Sequence, residues 1–203
     1  MTKKRPRGFT LIEILIAITL FSITIVVAVD VIVAYTKLQN RGVIQQTLGS
    51  DARFVMESIA RQMRLGTIDY DYYADPPDES GEIYLTAGPI NKLAIKDNAN
   101  NVTLYRLNTG TDKVEVSNDI YDIGGGTWTS ITPDDIEISR LDFYISPAVD
   151  PFALQDPVPA ADSKYKSDEQ PRVTIVMSSI SNKTNPPVEK HLQTTISSRF
   201  YVR

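Results

Sequence analysis

Gly8-Phe9-Thr10-Leu11-Ile12-Glu13 opens an apolar run that continues without a charge from Ile14 to Val29 and closes at Asp30. Phe9 to Val29 is 21 residues, and at helical rise such a length covers roughly 30 Å, the thickness of a bilayer's hydrocarbon core. The run therefore predicts one membrane span. Its N-terminal flank carries Lys3, Lys4, Arg5 and Arg7, whereas Asp30, Lys37 and Arg41 follow it. Basic flanks stay on the cytoplasmic side, so the N-terminus is expected inside and the bulk of the chain outside. Glu13 does not suit a plain anchor, because an ionisable group in a span costs about 2.5–3.5 kcal/mol at the helix centre and less near an end. The residues alone leave open an anchor with a tolerated interfacial Glu13, and a secretory signal cut after Val26-Val27-Ala28.

The short basic leader, Gly8-Phe9-Thr10-Leu11-Ile12-Glu13 and the apolar helix together resemble the signal of type IV prepilins and type II secretion pseudopilins. In that family a membrane peptidase cuts after the glycine and methylates the new N-terminal residue. The resemblance implies cleavage between Gly8 and Phe9, N-methylation of Phe9, and Glu13 as the fifth residue of the mature chain. Cleavage would expose an ammonium on Phe9 within the apolar layer. A Glu13 carboxylate would neutralise the ammonium of a neighbouring subunit, offsetting two desolvation costs together.

Outward from this segment, Asp30 to Arg64 contains no proline and extends the helix. Ala52, Val55, Met56, Ile59 and Met63 recur at helical spacing and mark a face that packs on a sheet. Glu57 and Arg61 are an i, i+4 pair, and Gly66 suits a C-terminal stop. Gly42 and Gly49 are the expected soft points, with Ser50 or Asp51 available to cap a helix restarted after Gly49. Many major pilins have a proline where this chain has Asp30, which leaves those glycines as the flexible positions. The alternative is separate helices joined by loops at Gly42 and Gly49.

Beyond Gly66, short β-prone runs separated by turn residues predict an antiparallel sheet. They are residues 82–87, 92–96, 102–107, 113–117, 127–131, 138–145, 172–179 and 191–202. Asn108-Thr109-Gly110-Thr111-Asp112 is a hairpin turn between two of them. Residues 69–81 and 147–171 read as irregular, the second carrying Pro147, Pro151, Pro157, Pro159 and Pro171. Either is an unordered surface insertion or a contact loop. The fold class expected is α+β, pilin-like. It comprises a leader at 1–8, a transmembrane or filament-core helix at 9–29, a helical stem at 30–65 and a β-rich head at 66–203.

Chemistry is sparse. The 203 residues hold 21 Lys and Arg against 25 Asp and Glu, a formal charge of −4. Without the four leader cations, 17 face 25, or −8. That balance repels phosphate backbones and argues against nucleic acid as a partner. No cysteine is present, which excludes disulfides, thiolate metal sites and a cysteine nucleophile. His191, the only histidine, reads as a residue beside a strand start with no Ser-His-Asp constellation. Gly124-Gly125-Gly126 lacks the Gly-Lys-Ser/Thr of a phosphate loop and reads as a turn. Asp69, Asp71, Asp75, Asp78 and Glu79 do not follow the EF-hand spacing. Some pseudopilins bind calcium in the β-domain, so calcium is the one cofactor worth testing, and none is otherwise expected. Tyr70, Tyr72, Tyr73 and Tyr84 are expected to pack their rings and leave their hydroxyls wet. Asn101-Val102-Thr103 and Asn182-Lys183-Thr184 match the glycosylation pattern without physical support.

The resemblance implies a non-enzymatic filament subunit, a minor pilin or pseudopilin, held in the inner membrane with its head outside and later part of a surface or periplasmic filament. Its partners would be membrane lipid, a prepilin peptidase/methyltransferase, an inner-membrane assembly platform and other pilin or pseudopilin subunits. The topmost secretion pseudopilin lacks the glutamate that Glu13 matches, which argues against that position. The alternative is a tip adhesin or DNA-uptake receptor using residues 147–171 with Lys183, Lys190, Arg199 and Arg203.

Overall fold

The computed structural model describes residues 8–74, 88–118, 127–153 and 169–198. Residues 1–7 of the expected leader 1–8, the strand at 82–87, Tyr84, Gly124-Gly125-Gly126, residues 75–81 and 154–168, and everything from Arg199 onward lie outside them. The chain divides into two compact units, Met1–Val43 and Ile44–Arg203. Its elements are α+β: a long helix at the N-terminal end, then two antiparallel sheets.

Helix α1 covers Leu11–Leu65, 55 residues, and contains both Gly42 and Gly49. Neither glycine makes a loop, and no helix restarts at Ser50 or Asp51. In the first unit its apolar side chains lie exposed, including Leu15, Leu20, Phe21 and Val26. Polar side chains there turn inward on the backbone. The hydroxyls of Thr19, Ser22 and Thr24 donate to the carbonyls of Leu15, Ile18 and Leu20 at 2.9, 2.8 and 2.9 Å. Such back-bonding leaves these hydroxyls no need for water, as a lipid-facing helix requires.

In the second unit α1 is amphipathic. Ala52, Val55, Met56, Ile59 and Met63, the face read from the sequence, are all buried, joined by Leu48, Gly49 and Ala60. Glu57 pairs with Arg64 at 2.6 Å instead of the expected Arg61. Gly49 is buried because Lys190 lies across it, and an added Cβ would meet the lysine's Nζ. Its function is therefore close approach rather than bending. Gly66 ends the helix, its N–H donating to Gln62 O at 2.9 Å. A Cβ there would stand 2.6 Å from Lys96 O and 2.9 Å from Ile95 Cγ2. The stop is required by the backbone of the strand beside it.

That strand belongs to a five-stranded antiparallel sheet in chain order. It consists of β1 (Thr67–Ile68), β2 (Lys92–Lys96), β3 (Val102–Asn108), β4 (Lys113–Ser117) and β5 (Thr129–Ser130). Helix α2 (Tyr70–Ala74) lies in the chain between β1 and β2. The β3–β4 hairpin forms where expected, with Gly110 N–H donating to Asn108 Oδ1 at 2.9 Å. Asp112, at φ 52°, takes the left-handed position.

A second antiparallel sheet runs β6 (Glu137–Ser146), β7 (Arg172–Ser181), β8 (Val188–Ser197). The two sheets meet at the outer edge of β6. Ile90 and Phe143 exchange backbone hydrogen bonds of 2.8 and 3.1 Å, and Ile138 N–H donates to Asp112 O at 2.8 Å. Their apolar faces and the buried face of α1 form one core, in which Ile59, Met63, Leu93, Leu104, Val114, Phe143, Ile175 and Met177 are almost wholly enclosed. At the C-terminal end of β8, the buried Ser198 donates its hydroxyl to Gly66 O at 2.7 Å, tying the last strand to the end of α1.

Candidate functional site

At the start of α1 the backbone leaves its first N–H groups without helical partners, and side chains supply them. Thr10 is the cap. Its Oγ accepts the Glu13 N–H at 3.3 Å. In return Glu13 Oε2 accepts the Thr10 N–H and the Thr10 hydroxyl, each at 3.1 Å. This reciprocal arrangement is a capping box, Thr-x-x-Glu. Glu13 is thus already engaged by its own chain, and both bonds to its carboxylate fall on Oε2. Thr10 is the residue the sequence reading passes over, although the Thr-x-x-Glu spacing was there to find it.

Around this cap, Gly8 is exposed, and an added Cβ would meet nothing within 4 Å. The fold makes no steric demand for glycine at that position, so any demand comes from whatever handles the chain. Phe9 is 82% exposed. With Glu13, Ala17 and Phe21 it lines one side of the helix, where the small Ala17 leaves a shallow apolar groove between the rings. Gly8, Phe9 and Glu13 therefore sit together on an accessible helix start.

Among its described residues the head presents no comparable cluster. Residues 67–71, Lys96, Asp97, Asn98, Asn100, Asp150 and Phe152 border a cavity of about 340 Å³ lined by four carboxylates. Each is committed locally. Asp69 accepts the N–H groups of Tyr72 and Asp71 at the start of α2, and burial pushes its carboxyl up despite Lys96. Asp71 lies 4.0 Å from Lys96. Asp97 Oδ1 accepts Ala99 and Asn101 N–H, both at 2.8 Å, and Asp150 accepts Phe152 N–H at 2.9 Å. Among the described residues no group of three or more His, Cys, Asp or Glu is placed to hold a metal ion. Asp75, Asp78 and Glu79 lie outside them.

The described tyrosines pack as expected, but the hydroxyls of Tyr70 and Tyr73 are bonded to the backbone rather than wet. Tyr73 is buried, and its hydroxyl is not wet: it accepts Ala94 N–H at 2.8 Å and donates to Lys92 O at 3.3 Å, serving the edge of β2 beyond the short β1. Tyr70 donates to Pro147 O at 3.0 Å. Tyr72 and Tyr73 meet edge to face, centroids 5.3 Å apart.

His191 lies within β8, three residues past its start, instead of beside it. Its Nδ1 is 2.8 Å from the hydroxyl of Ser178, its cross-strand partner, and its Nε2 is 3.8 Å from Glu189. This Ser-His-Glu contact follows from strand register, since Glu189 and His191 share a face of β8. Of the basic residues proposed for ligand contact, Lys183 is paired to Asp135 at 2.7 Å and Lys190 lies over Gly49. Arg199 and Arg203 lie outside the described residues.

Residues 3–29 match the prokaryotic N-terminal methylation motif. This is the signal of type IV pilin-like precursors, and it implies processing by a prepilin peptidase and assembly with other pilins. The motif is consistent with the type IV pilin and pseudopilin family, and the long apolar helix with antiparallel sheets is an α+β, pilin-like arrangement. Helix α1 is also long and apolar enough near the N-terminus to anchor the chain in a membrane by a single pass. No curated protein and no solved structure matches the chain significantly.

Proposed function

We propose that the chain is a minor pilin or pseudopilin cut between Gly8 and Phe9, N-methylated on Phe9, and built into a pilus-related filament through Glu13. The observation that carries this reading is the methylation motif at residues 3–29, with Gly8, Phe9 and Glu13 accessible at the helix start. Before assembly, residues 9–29 span the inner membrane with the basic flank inside and the head, 66–203, outside. Afterward, the exposed apolar surface of the same segment is covered by other subunits in a surface or periplasmic filament.

The chemistry follows from the order of events. The leader keeps its charges in the cytoplasm, and no ammonium exists at Phe9 until the peptide bond is cut. Cleavage creates that cation at the membrane end of the helix, and burying it alone is costly. A neighbour's Glu13 carboxylate balances it and fixes the stagger between helices.

Two measurements test the reading. The mature N-terminus should begin at Phe9, heavier by one methyl group; a start at Val29 or an uncut Met1 would refute processing at Gly8. Glu13→Ala should leave cleavage largely intact while the sheared filament fraction loses the protein. Normal incorporation of that variant would remove the pairing role.

A further inference from the structure

We infer that Asp30 is a contact between copies of this chain: its carboxylate, set within apolar surface, pairs with the Lys37 ammonium of a second copy lying alongside. Helix α1 runs through Asp30 without a break, and Val31, Ile32 and Val33 beyond it are exposed like Val26, Val27 and Val29 before it. Asp30 is therefore an acid inside the apolar surface rather than at its end. The positions one helical turn away, Val26, Val27, Val33 and Ala34, are all apolar, so its own helix offers no cation at the i±3 or i±4 spacing that pairs charges. Lys37 is equally unmatched, since Asp30 is the only acid between Glu13 and Asp51. Both side chains are exposed, and among the described residues neither makes a hydrogen bond or an ion pair.

An unpaired carboxylate in an apolar layer is costly, and polar groups on membrane helices find partners on a neighbouring helix. Seven residues at helical pitch bring Lys37 to within roughly 20° of Asp30 around the helix and about 10 Å further along it. Arg64 bridges that separation to Glu57 within one helix, but Asp30 and Lys37 do not. A displaced copy closes the gap. The displacement comes from the proposed function, on which the inference rests: with Phe9 of one copy level with Glu13 of the next, the first copy is shifted four residues, about 6 Å, along the helix direction. Its Asp30 then stands level with the other's Ala34. Lys37 lies one turn beyond, and its side chain leans toward the helix N-terminus on a stem long enough to cover about 4.5 Å. Parallel helices gathered around a common axis turn the same face inward, so the acid of one copy meets the base of the next.

Charge reversal tests the pair. In cells producing the full precursor with its peptidase and partner subunits, two differently tagged copies are co-purified from detergent-solubilised membranes. Wild-type copies should co-purify. Asp30→Lys copies, basic at both positions, and Lys37→Asp copies, acidic at both, should each lose self-association by about 3- to 30-fold, the range for a polar contact between membrane helices. An Asp30→Lys copy produced together with a Lys37→Asp copy should associate as wild type does, because opposite charges then meet only across the interface. Cleavage after Gly8 should be unchanged throughout. Undiminished self-association of either reversed variant would overturn the inference and leave lipid phosphate as the partner of Lys37. Wild-type copies that do not co-purify, no recovery in the mixed pair, or loss of cleavage in the reversed variants would overturn it too. Glu13→Ala separates this contact from the proposed function. Copies of that variant that still co-purify while the filament fraction loses the protein support the Asp30 contact on its own. Copies that separate as far as Asp30→Lys copies do would assign the association to Glu13 and overturn the inference.

Discussion

Two stretches of α1 have similar backbones and opposite surroundings. From Leu11 to Val33 large apolar side chains stand exposed, and the hydroxyls between them bond to carbonyls of their own helix. From Leu48 to Met63 the same helix buries eight residues against the sheets and keeps charges such as Arg53 and Glu57 outside. The difference teaches that one helix has two solvents. The first stretch is apolar all round, as a helix that anchors in a membrane requires. The second is striped, and its cover is the head. Damage to one stretch should therefore leave the other's function readable.

The largest expected effect is in the head core. Ile59 is fully enclosed, so Ile59→Ala should destabilise the head by about 2–5 kcal/mol, measured by denaturant unfolding of the full chain in detergent. Cleavage after Gly8 should proceed as in wild type. Loss of cleavage in this variant would break the separation of the two stretches.

The glycines sharpen the comparison at smaller cost. Gly66→Ala places a Cβ against the Lys96 carbonyl, which belongs to a strand and cannot swing away. A loss of roughly 1–3 kcal/mol is expected, in the range of overpacking. Gly49→Ala meets only the far end of Lys190, and replacing glycine within a helix gains up to about 1 kcal/mol. A thermal melt should show unchanged or raised stability for Gly49→Ala and a lowered midpoint for Gly66→Ala. A marked loss in Gly49→Ala would restore the hinge reading of that residue.

The smallest effect expected is acid dependence confined to the head's turns. Hydrogen bonds from Asn101 hold the Asp97 carboxyl below its usual range, and the bond from Lys183 does the same for Asp135. A carboxyl whose folded pKa is depressed contributes stability above its unfolded pKa and loses it as pH falls through the folded value. Asp69, raised by burial, has the opposite sign: its protonation favours the fold. The melting temperature should therefore fall modestly as pH drops below about 4, and Asp97→Asn should shrink that fall. An unchanged acid response in Asp97→Asn would show that the turn contributes little.

Much of this molecule was legible in one dimension. The buried face of α1 follows from i, i+3, i+4 spacing, and β2 and β4 occupy the β-prone runs marked between turn residues, Lys92–Lys96 and Lys113–Ser117. Element ends were less legible. Strand β8 begins at Val188, not His191, because pairing of Val188 with Ser181 and Glu189 with Ile180 extends it through charged residues that hid the pattern. Of the run expected at 127–131 only Thr129–Ser130 pairs as strand. Helix α2 and the two-residue β1 carry too little periodicity to stand out, and α2 begins within residues read as irregular. At the candidate site, Gly8, Phe9 and Glu13 were readable, whereas Thr10 was passed over because a hydroxyl beside a long apolar run looks unremarkable until its bonds are seen.

The division has a physical cause. Local chemistry along the chain was enough for the long apolar stretch and the amphipathic half of α1, because each depends on residue type and short-range periodicity. The tertiary structure alone decided that Gly49 is a packing contact, that Gly66 is held by the Lys96 carbonyl, that Tyr73 serves the edge of β2, and that His191 faces Ser178. Those depend on which distant strands meet, and the pairing of strands is set by long-range burial that no local pattern encodes.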